Sequence, residues 1–265
     1  MQIKVMSWNT FLGHDIGGVI RHIHKENPGV IGLQEIVKGH PNTQGQNSVD
    51  LIRKGLSKMG RKHNVVYYPA FKSDRHSTRH EIGNAILSRF VVEKKSVHFL
   101  SDLEMYKNRD IDTVPRDAEP RIAVEVSIKV DTRSIRVIDT HLGVSEGLKP
   151  TKYTDVQMER LMGLIGEGKD TILMGDFNAT PESEYIRRIS GVMRNSDTDK
   201  KPTWPVLRRG IKAHQEKYEG VKRERSLLTH RIDQIFIGEG IQVVDFYLGD
   251  SLASDHKSLV AILEV

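Results

Sequence analysis

With 265 residues, 37% of them hydrophobic and 28% charged, the chain is long enough to bury a substantial core and too apolar to remain disordered. The absence of cysteine excludes disulfides, zinc–thiolate sites and cysteine nucleophiles, leaving oxygen and imidazole as the available metal ligands. The formal charge is +5, and no run approaches the roughly 20 apolar residues of a bilayer span.

In chain order, the stretch 3–7 alternates like a strand rather than a secretory leader, and apolar spacing predicts a helix over 19–25. A strand over 30–34, a helix over 48–59 and strands over 65–68, 85–87, 122–130 and 135–139 follow. Next come a helix over 154–165, a strand over 171–174 and a helix over 182–189, the last with Thr180-Pro181 as cap and first-turn pair. Strands over 232–237, 243–248 and 259–263 complete the α/β pattern. Strands at both ends of the chain favour two packed sheets covered by helices over one doubly wound sheet. No repeat or linker divides the sequence, so a single domain over 1–265 is expected, as a monomer in the cytoplasm without stable membrane insertion.

Two polar stretches, 101–119 and 194–229, read as long loops. From Asp199 to Arg225 nine basic residues stand against four acidic ones, with Trp204 and Tyr218 among them. Such a stretch suits a polyanion, because lysine and arginine displace phosphate counterions while rings stack on bases; it equally fits a solvated loop.

Polar residues just after buried strands sit where α/β proteins collect ligands. Here they are Ser7-Trp8-Asn9, Leu33-Gln34-Glu35, Thr140-His141, Gly175-Asp176-Phe177-Asn178 and Ser254-Asp255-His256, with Arg231-Ile232-Asp233 opening another strand. Singly each has an ordinary explanation as turn, cap or core polar residue. Together they supply what water needs to cut a phosphoester. Asn9, Glu35, Asp176 and Asp255 offer hard oxygen ligands for Mg2+ or Mn2+. Asp176 suits the base that orients water, and Asn178 and a protonated histidine suit the donors to the phosphoryl oxygens.

These motifs, with Gly83-Asn84-Ala85-Ile86-Leu87-Ser88-Arg89, stand in the order of the endonuclease/exonuclease/phosphatase superfamily, which the chain resembles over nearly its whole length. The resemblance implies a four-layer αββα sandwich of two mixed sheets, with the site at their shared edge. It implies that Asn9, Glu35 and Asp255 hold or approach the metal, that Asp176 orients or deprotonates water, and that Asn178 contacts the scissile phosphate. His256 is then expected to bind or protonate a phosphoryl oxygen with Asp233 fixing its tautomer, and His141 to be a second catalytic histidine. Glu81 stands where the deoxyribonuclease-like branch has an acid paired with the histidine of Thr-His, or is a solvated loop acid. Asn84, Arg75, Arg79, Arg208 and Arg209 are further candidates for substrate phosphate. Glu35 is followed by Ile36-Val37-Lys38 where apurinic endonucleases have Thr-Lys, a departure from that branch.

The resulting expectation is a metal-dependent nuclease acting on DNA or RNA. A phosphatase or phosphodiesterase for small-molecule or lipid phosphoesters is the alternative, and a silent binding module conflicts with the intact polar set.

Overall fold

Strand-forming runs of β-branched and apolar residues assemble into two six-stranded sheets in the computed structural model, which describes residues 1–75, 78–106, 110–197, 201–205 and 230–265. In the first sheet, β1 (Gln2–Asn9), β2 (Val30–Lys38), β3 (Asn64–Ser73), β4 (His80–Ser88), β11 (Gln242–Leu248) and β12 (Leu259–Glu264) lie in the order β11-β12-β1-β2-β4-β3. In the second, β5 (Val91–Phe99), β6 (Ile122–Val130), β7 (Arg133–His141), β8 (Thr171–Asp176), β9 (Arg194–Asn195) and β10 (Asp233–Ile237) lie in the order β5-β6-β7-β8-β10-β9.

Alternation along the strands divides the apolar residues among three cores. Ile3 and Val5 of β1 face Val124, Val137, Ile172 and Ile235 of the second sheet, forming the layer between the sheets. Met6 and Trp8 point the other way, onto Val19 and Ile23 of α1 (Ile16–Glu26) and Ile52 and Leu56 of α2 (Ser48–Lys58). Leu173 and Phe236 likewise meet Met158 and Leu161 of α3 (Lys152–Ile165) and Ile186 and Ile189 of α4 (Glu184–Ser190). Both sheets are therefore covered on both faces, and the fold is the expected αββα sandwich. Among the described residues, no helix is long and apolar enough to cross a membrane.

Three local readings change. The edge strand β5 was not expected, because Glu93, Lys94 and Lys95 interrupt its apolar alternation; charge on an edge strand discourages pairing with another chain, and it masks the strand from pattern reading. The last helix begins at Glu184, not 182. Ser183 caps it by accepting from the Ile186 N–H, while Thr180 and Pro181 belong to the preceding turn, in which the Thr180 carbonyl accepts from Ser183. The first helix starts at Ile16, capped by Asp15.

Each sheet contains one parallel pair, β1 with β2 and β7 with β8. Their C-terminal ends carry Asn9, Glu35, His141 and Asp176. Asp233 opens the antiparallel β10 opposite Asp176, and Asp255 and His256 precede β12. The sheets thus bring together residues separated by up to 247 positions at one edge.

Candidate active site

Backbone geometry at the ends of these strands aims side chains into a cleft of about 510 Å³. Glu35 sits in the left-handed region (φ 55°) at the irregularity in the β2–β4 pairing. A non-glycine residue there costs on the order of 1–3 kcal/mol, a strain typical of functional positions. Asn178 is also left-handed (φ 47°), turning the chain after β8. Gly175, at φ 150°, lies so close to β7 that an added Cβ would fall 1.9 Å from the Thr140 carbonyl oxygen. Only glycine allows that approach, which sets Asp176 beside His141.

Asp176 is the hub. Its Oδ1 accepts from the Asn178 N–H at 3.0 Å and its Oδ2 from Asn9 Nδ2 at 3.1 Å. His141 Nε2 lies 3.5 Å and His256 Nε2 3.8 Å from Oδ2. On its other side His256 Nδ1 meets both oxygens of Asp233, at 3.0 and 3.1 Å. Asp255 Oδ1 stands 3.9 Å from His256 Nε2, and Glu35 and Asp255 both line the cleft. The loop before β12 is tied to β1: Trp8 Nε1 donates to the His256 carbonyl at 2.9 Å, and Ser254 Oγ donates to the Asn9 carbonyl at 2.6 Å. Trp8 and Ser254, part of the motifs without an assigned role, therefore fix the loop of Asp255 and His256 against Asn9.

Burial and neighbouring charge divide the two histidines. Burial opposes charge on His256, but Asp233, Asp176 and Asp255 outweigh it and raise the ring to about 10. Burial, with the positive charges of Arg121, His256 and Arg116, holds His141 well below its ordinary value. The site thus pairs a cationic His256 with a neutral His141. Burial first, then Asp233, lifts Asp176 above the usual carboxylate range. A carboxylate moved toward neutrality is a more competent acceptor of a water proton.

Asp176, Asp233 and Asp255 crowd three carboxylates around the His256 imidazole, local negative charge of the kind a divalent cation offsets. The donor set is all oxygen and fits a hard metal. Asp176, Asp233 and His256 offer ligand atoms within 4.8 Å of one another, but Asp233 is engaged by His256 through both oxygens. Glu35 and Asp255 line the same cleft as Asp176 and offer further oxygen donors. Asn9 donates its amide to Asp176 and accepts the Phe11 N–H at 3.0 Å on Oδ1, which leaves one lone pair of that oxygen for a metal. Asn178 Nδ2 donates to the Leu142 carbonyl at 2.9 Å, keeping its second N–H for substrate.

Several other expectations are corrected. Glu81 does not line the cleft; register places it opposite Lys38 and Lys72, which pair with it at 3.9 and 3.6 Å, while His141 faces Asp176. Asn84 is buried between the sheets beside Asp139 and cannot contact a phosphate from there. Arg79 is exposed and outside the cleft wall. Arg75 does line the cleft, but Glu119 and Asp112 engage its guanidinium. Arg208 and Arg209, with most of the basic stretch, lie outside the described residues. The cleft also contains Arg116, Glu119, Arg121, Phe11, Phe71 and Trp204, which lie outside the motifs or, like Trp204, had been read only as part of the basic stretch.

The model of the Endonuclease/Exonuclease/phosphatase family matches residues 6–256. No curated protein matches the chain. Among solved structures, an endonuclease/exonuclease/phosphatase from Beutenbergia cavernae is 18% identical with a TM-score of 0.72, over 100% of this chain and 72% of that one. The human Nocturnin catalytic domain with bound sulfate anion is 17% identical with a TM-score of 0.66, over 99% and 93%. A mannosyl-6-phosphatase from Bacteroides thetaiotaomicron is 17% identical with a TM-score of 0.62, over 99% and 100%. At these identities the likeness is one of fold. The family match extends from Met6, within β1, to His256 and so takes in the whole carboxylate and histidine cluster, and this chain belongs to the endonuclease/exonuclease/phosphatase family, whose members hydrolyse phosphoesters.

Proposed function

We propose that the protein is a divalent-metal-dependent phosphodiesterase that hydrolyses nucleic acid by direct attack of water on phosphorus. The observation that carries this reading is the convergence of two histidines on one buried carboxylate, Asp176. A divalent cation, when bound, supplies charge neutralisation at the phosphoryl oxygens. Glu35 and Asp255, with Asp176, are the residues to hold it. Asp176, fixed by Asn9 and the Asn178 N–H, accepts the proton of the attacking water. Cationic His256 donates to a phosphoryl oxygen, with Asp233 holding its Nδ1–H and offsetting its charge. Asn178 and neutral His141 add donors on the same side.

The net charge of +5 and the rings of Phe11, Phe71 and Trp204 in the cleft support a nucleic-acid substrate, through phosphate attraction and base stacking. A second reading, a phosphatase for a small sugar phosphate, is favoured by the cleft volume of about 510 Å³, which suits a small ligand, and by the likeness to the mannosyl-6-phosphatase.

Single- and double-stranded DNA, RNA and sugar phosphates, each assayed with Mg2+, Mn2+ or EDTA, separate the two. Metal-dependent cleavage of oligonucleotides is expected, abolished in Asp176→Asn and His256→Ala. Turnover of sugar phosphates with all oligonucleotides intact selects the second reading. Undiminished activity in EDTA, or in both variants, overturns the site itself.

A further inference from the structure

Beyond the motif residues, the cleft carries a second charged group at the start of β6. Arg121 directly precedes β6, where Ala123 pairs with Thr140 and the Thr140 hydroxyl donates to the Ile122 carbonyl at 3.2 Å. Arg121 and His141 therefore stand at the same end of two paired strands. The Arg121 guanidinium is buried; Nη2 donates to Glu119 Oε2 at 3.0 Å, and Nε has no acceptor.

Glu119 is shared, because Arg75 also pairs with it while reaching Asp112 at 3.4 Å and the carbonyls of Ile111, Asp112 and Val114. Arg116, on the same wall, is exposed, and its side chain makes no hydrogen bond or ion pair among the described residues. Three guanidinium groups thus face two carboxylates. Of the three only Arg121 is buried, where an unmet guanidinium donor is costly, and its Nε is left without an acceptor. Arginine forks fit the oxygens of a phosphate group, and these open onto the cleft that holds Asp176, His141 and His256.

We propose that Arg121 and Arg116 form an anion subsite that holds a second phosphate of the substrate beside the one cleaved, with Glu119 and Arg75 positioning Arg121. The inference rests on the phosphoesterase reading and narrows it to phosphoesters bearing a second phosphate. The carboxylate side of the cleft, whose Glu35 and Asp255 would hold a cation, would take the scissile group, and the arginine side its neighbour. A nucleotide and a sugar bisphosphate share this chemistry.

Calorimetric binding, in EDTA and again with Ca2+, tests it apart from turnover. Thymidine 3′,5′-bisphosphate is compared with thymidine 5′-monophosphate, and fructose 1,6-bisphosphate with fructose 6-phosphate; the pair that discriminates identifies the source of the phosphate. At least one bisphosphate is expected to bind about tenfold tighter than its monophosphate, as charge-assisted contacts of this kind warrant. Arg116→Gln and Arg121→Lys should each reduce that ratio. Arg116 is exposed, so its variant keeps the test informative if the Arg121 variant does not fold. A ratio near one for both pairs, no bisphosphate binding under either condition, or a ratio unmoved by Arg116→Gln overturns the subsite. An arginine-dependent preference in a protein that cleaves no phosphoester supports the subsite while rejecting the proposed function; cleavage without the preference does the reverse.

Discussion

Asp233 holds His256 Nδ1 between its two oxygens at 3.0 and 3.1 Å, which leaves Nε2 directed toward Asp176 at 3.8 Å. One carboxylate thereby sets the tautomer, the orientation and the charge of the imidazole. Asp233→Asn keeps the size and removes the charge. It is expected to lower kcat by roughly 10²- to 10⁴-fold, the range of a lost acid–base contribution, with a smaller change in KM. Steady-state kinetics of the variant check this, together with its pH profile, whose basic limb should move to lower pH because His256 no longer keeps its proton.

The same pair makes stability depend on pH. His256 is raised from 6.5 to about 10 in the fold, so its contribution is fully present below the unfolded value and is lost as pH rises through the folded one. Urea unfolding in EDTA at pH 6 and pH 9 should therefore show a larger loss in the parent than in His256→Gln. Equal losses in the two proteins would contradict a charged His256.

Asp139 lies between the sheets, its Oδ1 accepting from Gln34 Nε2 at 2.5 Å, with Asn84 beside it. Burial raises this carboxyl well above its ordinary value, and the neighbouring Gln34 and Asn84 amides only partly oppose the shift. A raised carboxyl makes the folded state bind more protons than the unfolded one, so stability falls as pH rises above about 4. Asp139→Asn, neutral at every pH and still able to accept from Gln34, is expected to be more stable than the parent at pH 8. The difference should vanish below about pH 4. Urea midpoints across that range decide it.

Gly175→Ala is expected to cost at least about 2 kcal/mol, through overpacking and a backbone angle that alanine rarely adopts. The added Cβ meets the Thr140 carbonyl oxygen at 1.9 Å, which must part β7 from β8 and separate His141 from Asp176. Activity should fall further than lost stability alone explains, measured at a temperature where the variant remains folded.

The one-dimensional pattern determined the α/β class, most strands and the motif residues, because buried strands must be apolar and a hard-metal phosphoester site must be oxygen- and imidazole-rich. Asp176, Asp233 and His256 were joined as a set by the order of the motifs, through the resemblance to the family. Glu81 and Asn84 lie on either side of Gly83 in the motif stretch, yet strand register turned one toward Lys38 and Lys72 and buried the other beside Asp139. Arg116, Glu119 and Arg121 carry no spacing signal, since their relation to His141 comes from the pairing of β6 with β7. Which polar residues share a cleft is decided by sheet register and by the meeting of two sheets at one edge, and only the folded chain fixes both.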